Sequence, residues 1–309
     1  MELNPAIEDF LVWLRVRRQL SPRTVTNYYG YALRNVVAPW CRGRSVDQVE
    51  QLTDAEVDRF SMELEDRRNR VGEPLHLATR VAYLKALRHF LTWARDEAGI
   101  EVNPQRVGLP RLRRLEKDVL SEQEMQELED AASNERDKLL IRLMVETGGR
   151  IGEVAGLRLD DLVERERRYW FVRYGGKTGQ RLAPISSELY RRLRAYSQGK
   201  TGRPRVRSPW FFLGRTRRPG GDYERLTESG IYRAIRDAAA RSTLDRKRIH
   251  PHLLRASAIT RMCARGMHPA MVSQVTGVSV QVIATHYLYP SQVMTWEAAM
   301  KALEPSQRP

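Results

Sequence analysis

Apolar residues recur with helical spacing through the first hundred positions, and no alternating run interrupts them. That periodicity commits the N-terminal third of the chain to amphipathic helices packed as a bundle. Ile7, Phe10, Leu11 and Leu14 form one stripe along a first helix. Ser21-Pro22 gives an N-cap followed by proline at the first helical position, opening a helix that carries Val25, Tyr28, Ala32, Leu33 and Val36. Thr53-Asp54-Ala55-Glu56 fits a capping box, continued on one face by Val57, Phe60 and Leu64. A longer helix from Leu77 bears Val81, Leu84, Leu91 and Ala94, and Gly99 is placed to end it. Residues 1–100 therefore read as a four-helix domain.

The pattern breaks at residues 101–118. Pro104 and Pro110 sit among Arg106, Arg111, Arg113, Arg114 and Lys117 with little apolar periodicity, so the segment reads as an extended, basic linker. A second domain, 119–309, opens with another capping box, Ser121-Glu122-Gln123-Glu124. Leu139, Leu140, Leu143 and Met144 form a buried helix face that stops at Thr147-Gly148-Gly149. Tyr169–Val172 and Leu182–Ile185 are β-prone runs around Gly175-Gly176-Lys177-Thr178-Gly179, the signature of a hairpin with a glycine-rich tip. Residues 199–221 read as a basic loop around Trp210-Phe211-Phe212-Leu213, and the remainder as helical. The expected fold is mostly α with a small β-sheet.

Charge and composition narrow the function. The 309 residues hold 53 Lys and Arg against 38 Asp and Glu, a formal charge of +15. A polyanion is the leading partner for such a chain, since each cation placed on a phosphate releases condensed counterions; a merely solvated basic surface is the alternative. No apolar run is long enough to span a membrane, and the start, MELNPAIEDF, lacks the basic and apolar regions of a signal peptide. Cys41 and Cys263 make neither a disulfide framework nor a metal knuckle, which suits reduced thiols in the cytoplasm. Gly176-Lys177-Thr178 is no nucleotide loop: Phe171 occupies the position where the first glycine is required, and the flanks read strand–turn–strand. His250-Pro251-His252 lacks the further ligands of a metal site.

Read together, five residues carry chemistry. Arg150 follows the glycine turn at a helix start, Lys177 is the hairpin's lysine, and His252 and Arg255 share a helix face. Tyr287 comes last. Attack on a phosphodiester calls for these groups. Guanidinium ions hold the non-bridging oxygens and stabilise the pentavalent transition state. A tyrosine hydroxyl, helped to ionise, is a nucleophile, and a lysine can protonate a departing alkoxide.

The order Arg150, Lys177, His252-x-x-Arg255, Tyr287 resembles the tyrosine recombinases, or phage integrase family, of the two-domain Xer/Cre-like type. The resemblance rests on TGGRIGEVAGL, GGKTGQRLAPI, PHLLRASAIT and VTGVSVQVIATHY, and on the N-terminal stretch FLVWLRVRRQLSPRTVTNYYGYAL. It covers residues 5 to 300 or so and implies a helical core-binding domain of SAM-like type and an α+β catalytic domain, clamped around duplex DNA. It further implies that Arg150 and Arg255 clamp the scissile phosphate, that Lys177 is the general acid, that His252 assists as base or phosphate donor, and that Tyr287 forms a 3′-phosphotyrosyl link. Glu153 matches the acidic residue that supports the site; a helix-surface carboxylate is its alternative. Neither metal nor ATP is demanded, because the covalent intermediate keeps the phosphodiester energy.

Family likeness also implies a homotetramer on two double-stranded DNA sites, with a C-terminal helix, Ser291–Leu303, docking on a neighbour or on its own domain. A cytoplasmic, nucleoid-associated protein of a prokaryote or phage is expected, with an accessory directionality factor as a further partner. The chain starts directly with core-binding helices, which favours a simpler recombinase acting on short sites. One departure stands out: Val278 occupies a position where the family usually has His or Trp, and valine donates no hydrogen bond to a phosphate. Tyr289 is a rival nucleophile two residues after Tyr287. Two other functions remain open at this point: a type IB topoisomerase-like relaxase, and a sequence-specific DNA-binding protein whose chemistry has weakened.

Overall fold

Phe10 is fully buried, and the rings of Phe90, Trp93 and Tyr29 stand 5.6, 5.7 and 5.8 Å from it. The stripe read from the sequence converges on this aromatic centre. The computed structural model describes residues 1–69, 71–111, 118–176, 179–217 and 223–288. The chain divides into two compact units, Met1–Arg114 and Leu115–Pro309.

In the first unit, α1 (Leu3–Val16) buries Ile7, Phe10, Leu11 and Leu14. The next helical rod, α2, runs from Pro22–Thr24 through wide π-helical turns at Val25–Gly30 and Leu33–Val37 to Ala38–Arg42. Pro39 has no N–H to give to the turn before it, and the second π-helical turn lies directly ahead of it. Ser21 caps α2 as its sequence demanded, accepting from the Thr24 N–H. Helices α3 (Asp54–Asp66) and α4 (Leu77–Asp96) complete the bundle. Only half of the Thr53 capping box forms. The Thr53 hydroxyl accepts from the Glu56 N–H, but the Glu56 carboxylate turns to Arg44 and Arg59 instead. A charged partner outcompetes the reciprocal backbone bond.

Residues 101–111 differ from the extended linker expected of them. Pro104–Arg106 is a 3₁₀ turn, Val107 is fully buried, and the Val107 carbonyl accepts from Arg88. Arg106 pairs with Asp58 of α3. The apolar residues Ile100 and Val107, spaced too irregularly to signal an element, dock this segment on the bundle. Residues 112–117, with Arg113, Arg114 and Lys117, lie outside the described residues.

The second unit is built around α6 (Glu135–Thr147), whose Leu139, Leu140, Leu143 and Met144 are wholly buried. Before it comes α5 (Glu122–Asp130), closed by the full Ser121–Glu124 capping box. After α7 (Ile151–Ala155) the strands β1 (Leu162–Arg165), β2 (Tyr169–Gly176) and β3 (Gly179–Pro184) form an antiparallel sheet in that order. Tyr174 stands directly opposite Arg181, and Gly176 opposite Gly179 at the tip. Helix α8 (Ser187–Ser197) follows, then a two-stranded ribbon of β4 (Leu213–Arg217) and β5 (Tyr223–Arg225). Helices α9 (Glu228–Ala239), α10 (Pro251–Ala264), α11 (Pro269–Thr276) and α12 (Val280–His286) finish the described chain.

Three strands were not legible. β1 is short and half polar, and its turn to β2 places Glu166 and Arg167 at φ 49° and 56° without a glycine to announce it. β4 and β5 lie in and beside the segment read as a basic loop. Cys41 and Cys263 are free and buried. No helix among the described residues is long and apolar enough to cross a membrane.

Replacing Phe10 by alanine removes the shared partner of three rings. We expect Phe10→Ala to destabilise the first unit by about 3–5 kcal/mol, read from denaturant unfolding followed by tryptophan fluorescence. A loss below 1 kcal/mol would mean that the aromatic centre is not what holds these helices together.

A candidate active site at the ends of two helices

Helix α6 ends where its sequence runs into two glycines. Gly148 adopts φ +62° and its N–H returns to the Met144 carbonyl, a left-handed C-cap that a β-carbon would strain. Gly149 is needed for a different reason: a β-carbon there would lie 2.8 Å from the Tyr174 hydroxyl. The Thr147 hydroxyl donates to the Leu143 carbonyl and accepts from the Gly149 N–H. Its one proton being used, it accepts from Tyr174 at 2.9 Å as well. This buried network fixes the turn from which Arg150 emerges.

Arg150 is the N-cap residue of α7, and Glu153 closes on it from the third helical position. The carboxylate takes the Arg150 N–H at 2.8 Å and its guanidinium at 2.9 Å. Burial opposes ionisation of Glu153, but the Arg150 N–H and the Arg181 guanidinium outweigh it and hold the carboxyl below its ordinary range. Glu153 is thus an anion at neutral pH.

The far end of α11 completes the arrangement. Gly277 caps this helix at φ +64°, as Gly148 caps α6. The three carbonyls that end the helix each accept from a different arginine. Val275 receives Arg181, Thr276 receives Arg255 at 2.8 Å, and Gly277 receives Arg150 at 2.7 Å. The last carbonyls of a helix have no intrahelical donors and carry the negative end of its dipole, so they suit cations. Arg255 also donates to the Gly148 carbonyl, joining the ends of α6 and α11. A β-carbon at Gly277 would press on Arg150 and Arg181, each at 3.2 Å, at a φ of +64° that strains other residues.

Three guanidinium groups with one carboxylate leave the cluster cationic. Arg150 is half exposed, whereas Arg255 is only 6% exposed. Burial, reinforced by the nearby charge of Arg150, lowers the Arg255 pKa to about 10. It stays charged at neutral pH, at a cost on the order of 3 kcal/mol that an incoming anion would relieve. Chemically, such a cluster suits an anion.

Of the residues singled out in the sequence, Arg150, Glu153 and Arg255 come together directly. Tyr287 caps the end of α12, 4% exposed, in an apolar cluster with Ile259, Cys263, Val272 and Ile283. It shares this cluster with Ala256 and Ile259 of α10, the helix that carries Arg255. Val278 packs against the same cluster. His252 is exposed on the first turn of α10, one turn ahead of Arg255. Its neighbour His250 is the helix N-cap, its ring nitrogen accepting from the Leu253 N–H. Among the described residues no group of three His, Cys, Asp or Glu is placed to hold a metal. Lys177, between the paired Gly176 and Gly179, lies outside the described residues, as does Tyr289. Arg181 was not legible as a site residue. An arginine in a β-run reads as a solvated position, and the one available signal was its register opposite Tyr174, over whose ring it stacks at 4.5 Å.

Residues 117–292 match the phage integrase family. The tyrosine recombinase XerD of Corynebacterium glutamicum is 26% identical, over 97% of this chain and 99% of that one. The crystal structure of XerH site-specific recombinase bound to difH substrate superposes with a TM-score of 0.68 at 18% identity, covering 97% of this chain and 84% of that one. That of a lambda integrase tetramer bound to a Holliday junction gives 0.64 at 18% identity, over 90% and 77%. The fold is that of a helical bundle followed by a recombinase catalytic domain, and the chain belongs to the phage integrase family. Its activity is that of a tyrosine site-specific recombinase.

The pairing of Glu153 has a pH signature. A carboxylate held below its ordinary pKa contributes stability that is complete above the unfolded value of 4.5 and is lost as pH falls through the folded one. Glu153→Gln should cost about 1–3 kcal/mol at pH 7, and the melting curves of variant and wild type should converge as pH drops below 4. A gap that stays constant down to pH 3 would show that charge is not what Glu153 contributes.

Proposed function

We propose that this chain cuts and rejoins duplex DNA through a 3′-phosphotyrosyl intermediate formed on Tyr287. The observation that supports it is the tethering of Arg150 and Arg255 to adjoining carbonyls at the end of α11, with Tyr287 in one apolar cluster with Ala256 and Ile259 of the helix that carries Arg255. In this reading the two guanidinium groups take the non-bridging oxygens of the scissile phosphate. Arg150 uses two of its nitrogens at rest and still has donors to present to an anion.

The Tyr287 oxygen attacks phosphorus, a new O–P bond forms, and the bond to the 5′-oxygen breaks. The phenolic proton leaves to solvent or to His252, and Lys177 gives a proton to the departing 5′-oxygen. Attack by a 5′-hydroxyl of another strand reverses each step and releases the tyrosine. Because one phosphoester replaces another, neither ATP nor a metal ion is called for. Glu153 keeps Arg150 oriented between substrates. The second unit, opening near residue 119, is the catalytic domain. The first is the core-binding domain, and the basic residues of α2 and α4 supply non-specific affinity for the backbone.

The working assembly is a homotetramer on two recombination sites, acting in the cytoplasm at the nucleoid. Lambda integrase, which shares the fold, occurs as a tetramer on a Holliday junction. Exchange of a C-terminal helix between subunits, by residues 291–303 beyond the described chain, and an accessory directionality factor complete the proposal.

Incubation with nicked suicide duplexes spanning candidate sites should give a protein–DNA band that survives denaturation. Tyr287→Phe should abolish that band and leave binding intact, whereas Tyr289→Phe should retain it. The opposite result moves the nucleophile to Tyr289. Monomeric relaxation of supercoils without synapsis would instead mark a relaxase.

Val278 offers a second test. Its side chain is half-buried beside the Tyr287 cluster and cannot donate to a phosphate. A well-placed donor is worth about 10²–10³ in rate where charge develops. Val278→His should therefore speed single-turnover cleavage, by about tenfold or more. An unchanged rate would mean that another group already fills this role.

A further inference from the structure

Arg181 is the third of the arginines gathered at α11. It sits on β3 with 12% of its side chain exposed, and its Nε is buried without a hydrogen-bond partner. An unmet buried donor costs about 1–3 kcal/mol. The next residues of the strand, Leu182 and Ala183, are apolar, and an apolar side chain at this position would pack without that penalty. Its charge also acts against the buried Arg255. Against these costs stand its ion pair with Glu153, its bond to the Val275 carbonyl and its stacking on Tyr174.

What Arg181 does is visible in how Glu153 is divided. One carboxylate oxygen, Oε1, accepts from the Arg150 guanidinium at 2.9 Å. The other, Oε2, accepts from the Arg150 backbone N–H at 2.8 Å and from Arg181 at 2.7 Å. Stacking on Tyr174 and the bond to the Val275 carbonyl keep Arg181 in place to claim that second oxygen. Without it, both oxygens would be available to the one remaining guanidinium, in the bidentate pairing that arginine and carboxylate favour. Arg150 would then be neutralised by its own support.

The geometry points to Arg181 as a positioning residue for strand cleavage: it draws half of Glu153 away from Arg150 and so keeps Arg150 available to the scissile phosphate. The inference rests on the function proposed above. The same cation fixes the end of α11 against β3, so the carbonyl that holds Arg150 is set by the sheet and not by a loop alone.

The test compares single-turnover cleavage of a suicide duplex by wild type, Arg181→Gln and Arg181→Lys. Each is assayed with an ordinary scissile phosphate and with a methylphosphonate, in which a methyl group replaces one charged oxygen. Failure of the wild-type chain to form an adduct with the ordinary substrate would sink the proposed function itself. Given wild-type cleavage, Arg181→Gln should slow the ordinary substrate by roughly 10- to 100-fold with DNA affinity within threefold of wild type. On the neutral methylphosphonate the deficit should shrink to a few-fold, because less oxyanion charge has to be met by Arg150. Arg181→Lys keeps the charge on Glu153 without the fork to Val275 and should fall between the two. If Arg181→Gln melts below the assay temperature, the lysine variant alone decides, by the same narrowing between substrates. Rates within threefold of wild type on both substrates would overturn the inference. So would an equal loss on both, which is what a merely structural role predicts.

Discussion

The site depends on a helix that ends in the right place. The final carbonyls of α11 have no donors of their own helix to meet, and three arginines from three different elements meet them. Guanidinium groups repel one another, so a cluster of this kind needs fixed negative partners. Backbone carbonyls at a helix terminus supply them without adding full charges that would cancel the field. Among the described residues only Glu153 brings a full negative charge into hydrogen-bond contact with the cluster, and it is shared between Arg150 and Arg181. The result is a cationic cluster whose members are each tethered in place, and the function proposed for it asks for such preorganisation.

Two glycines make that helix end reproducible. Gly148 and Gly277 terminate α6 and α11 in the same left-handed turn, and Arg255 spans the two ends. Each turn exposes carbonyls that a continuing helix would have consumed. The buried contacts behind the first turn, from Thr147 to Tyr174 and Gly149, explain why small residues crowd there. Packing, backbone conformation and charge therefore converge on a few positions.

Much of this was legible beforehand, for reasons that can be named. The four N-terminal helices follow from apolar spacing and caps, and Leu139, Leu140, Leu143 and Met144 do form the buried face of α6. The glycine turn before Arg150 and the i, i+3 pairing of His252 and Arg255 are local patterns, so they could be read locally. Arg181 could not, because its meaning lies in partners 28 and 94 positions away along the chain. Nor could the docking of Val107 on the first bundle, which depends on Arg88 reaching its carbonyl. β1 was hidden by a turn that uses Glu166 and Arg167 where glycine or asparagine would have given the signal.

The burial of Tyr287 has a consequence for a chain that breaks DNA. Its ring lies among Ile259, Cys263, Val272 and Ile283, kept dry while no substrate is held. Drawing such a side chain out of apolar contact costs about 1.5–3 kcal/mol, enough to suppress a reaction by roughly one to two orders of magnitude. Under the function proposed above, sheathing Tyr287 in this way would make each chance encounter with DNA less productive.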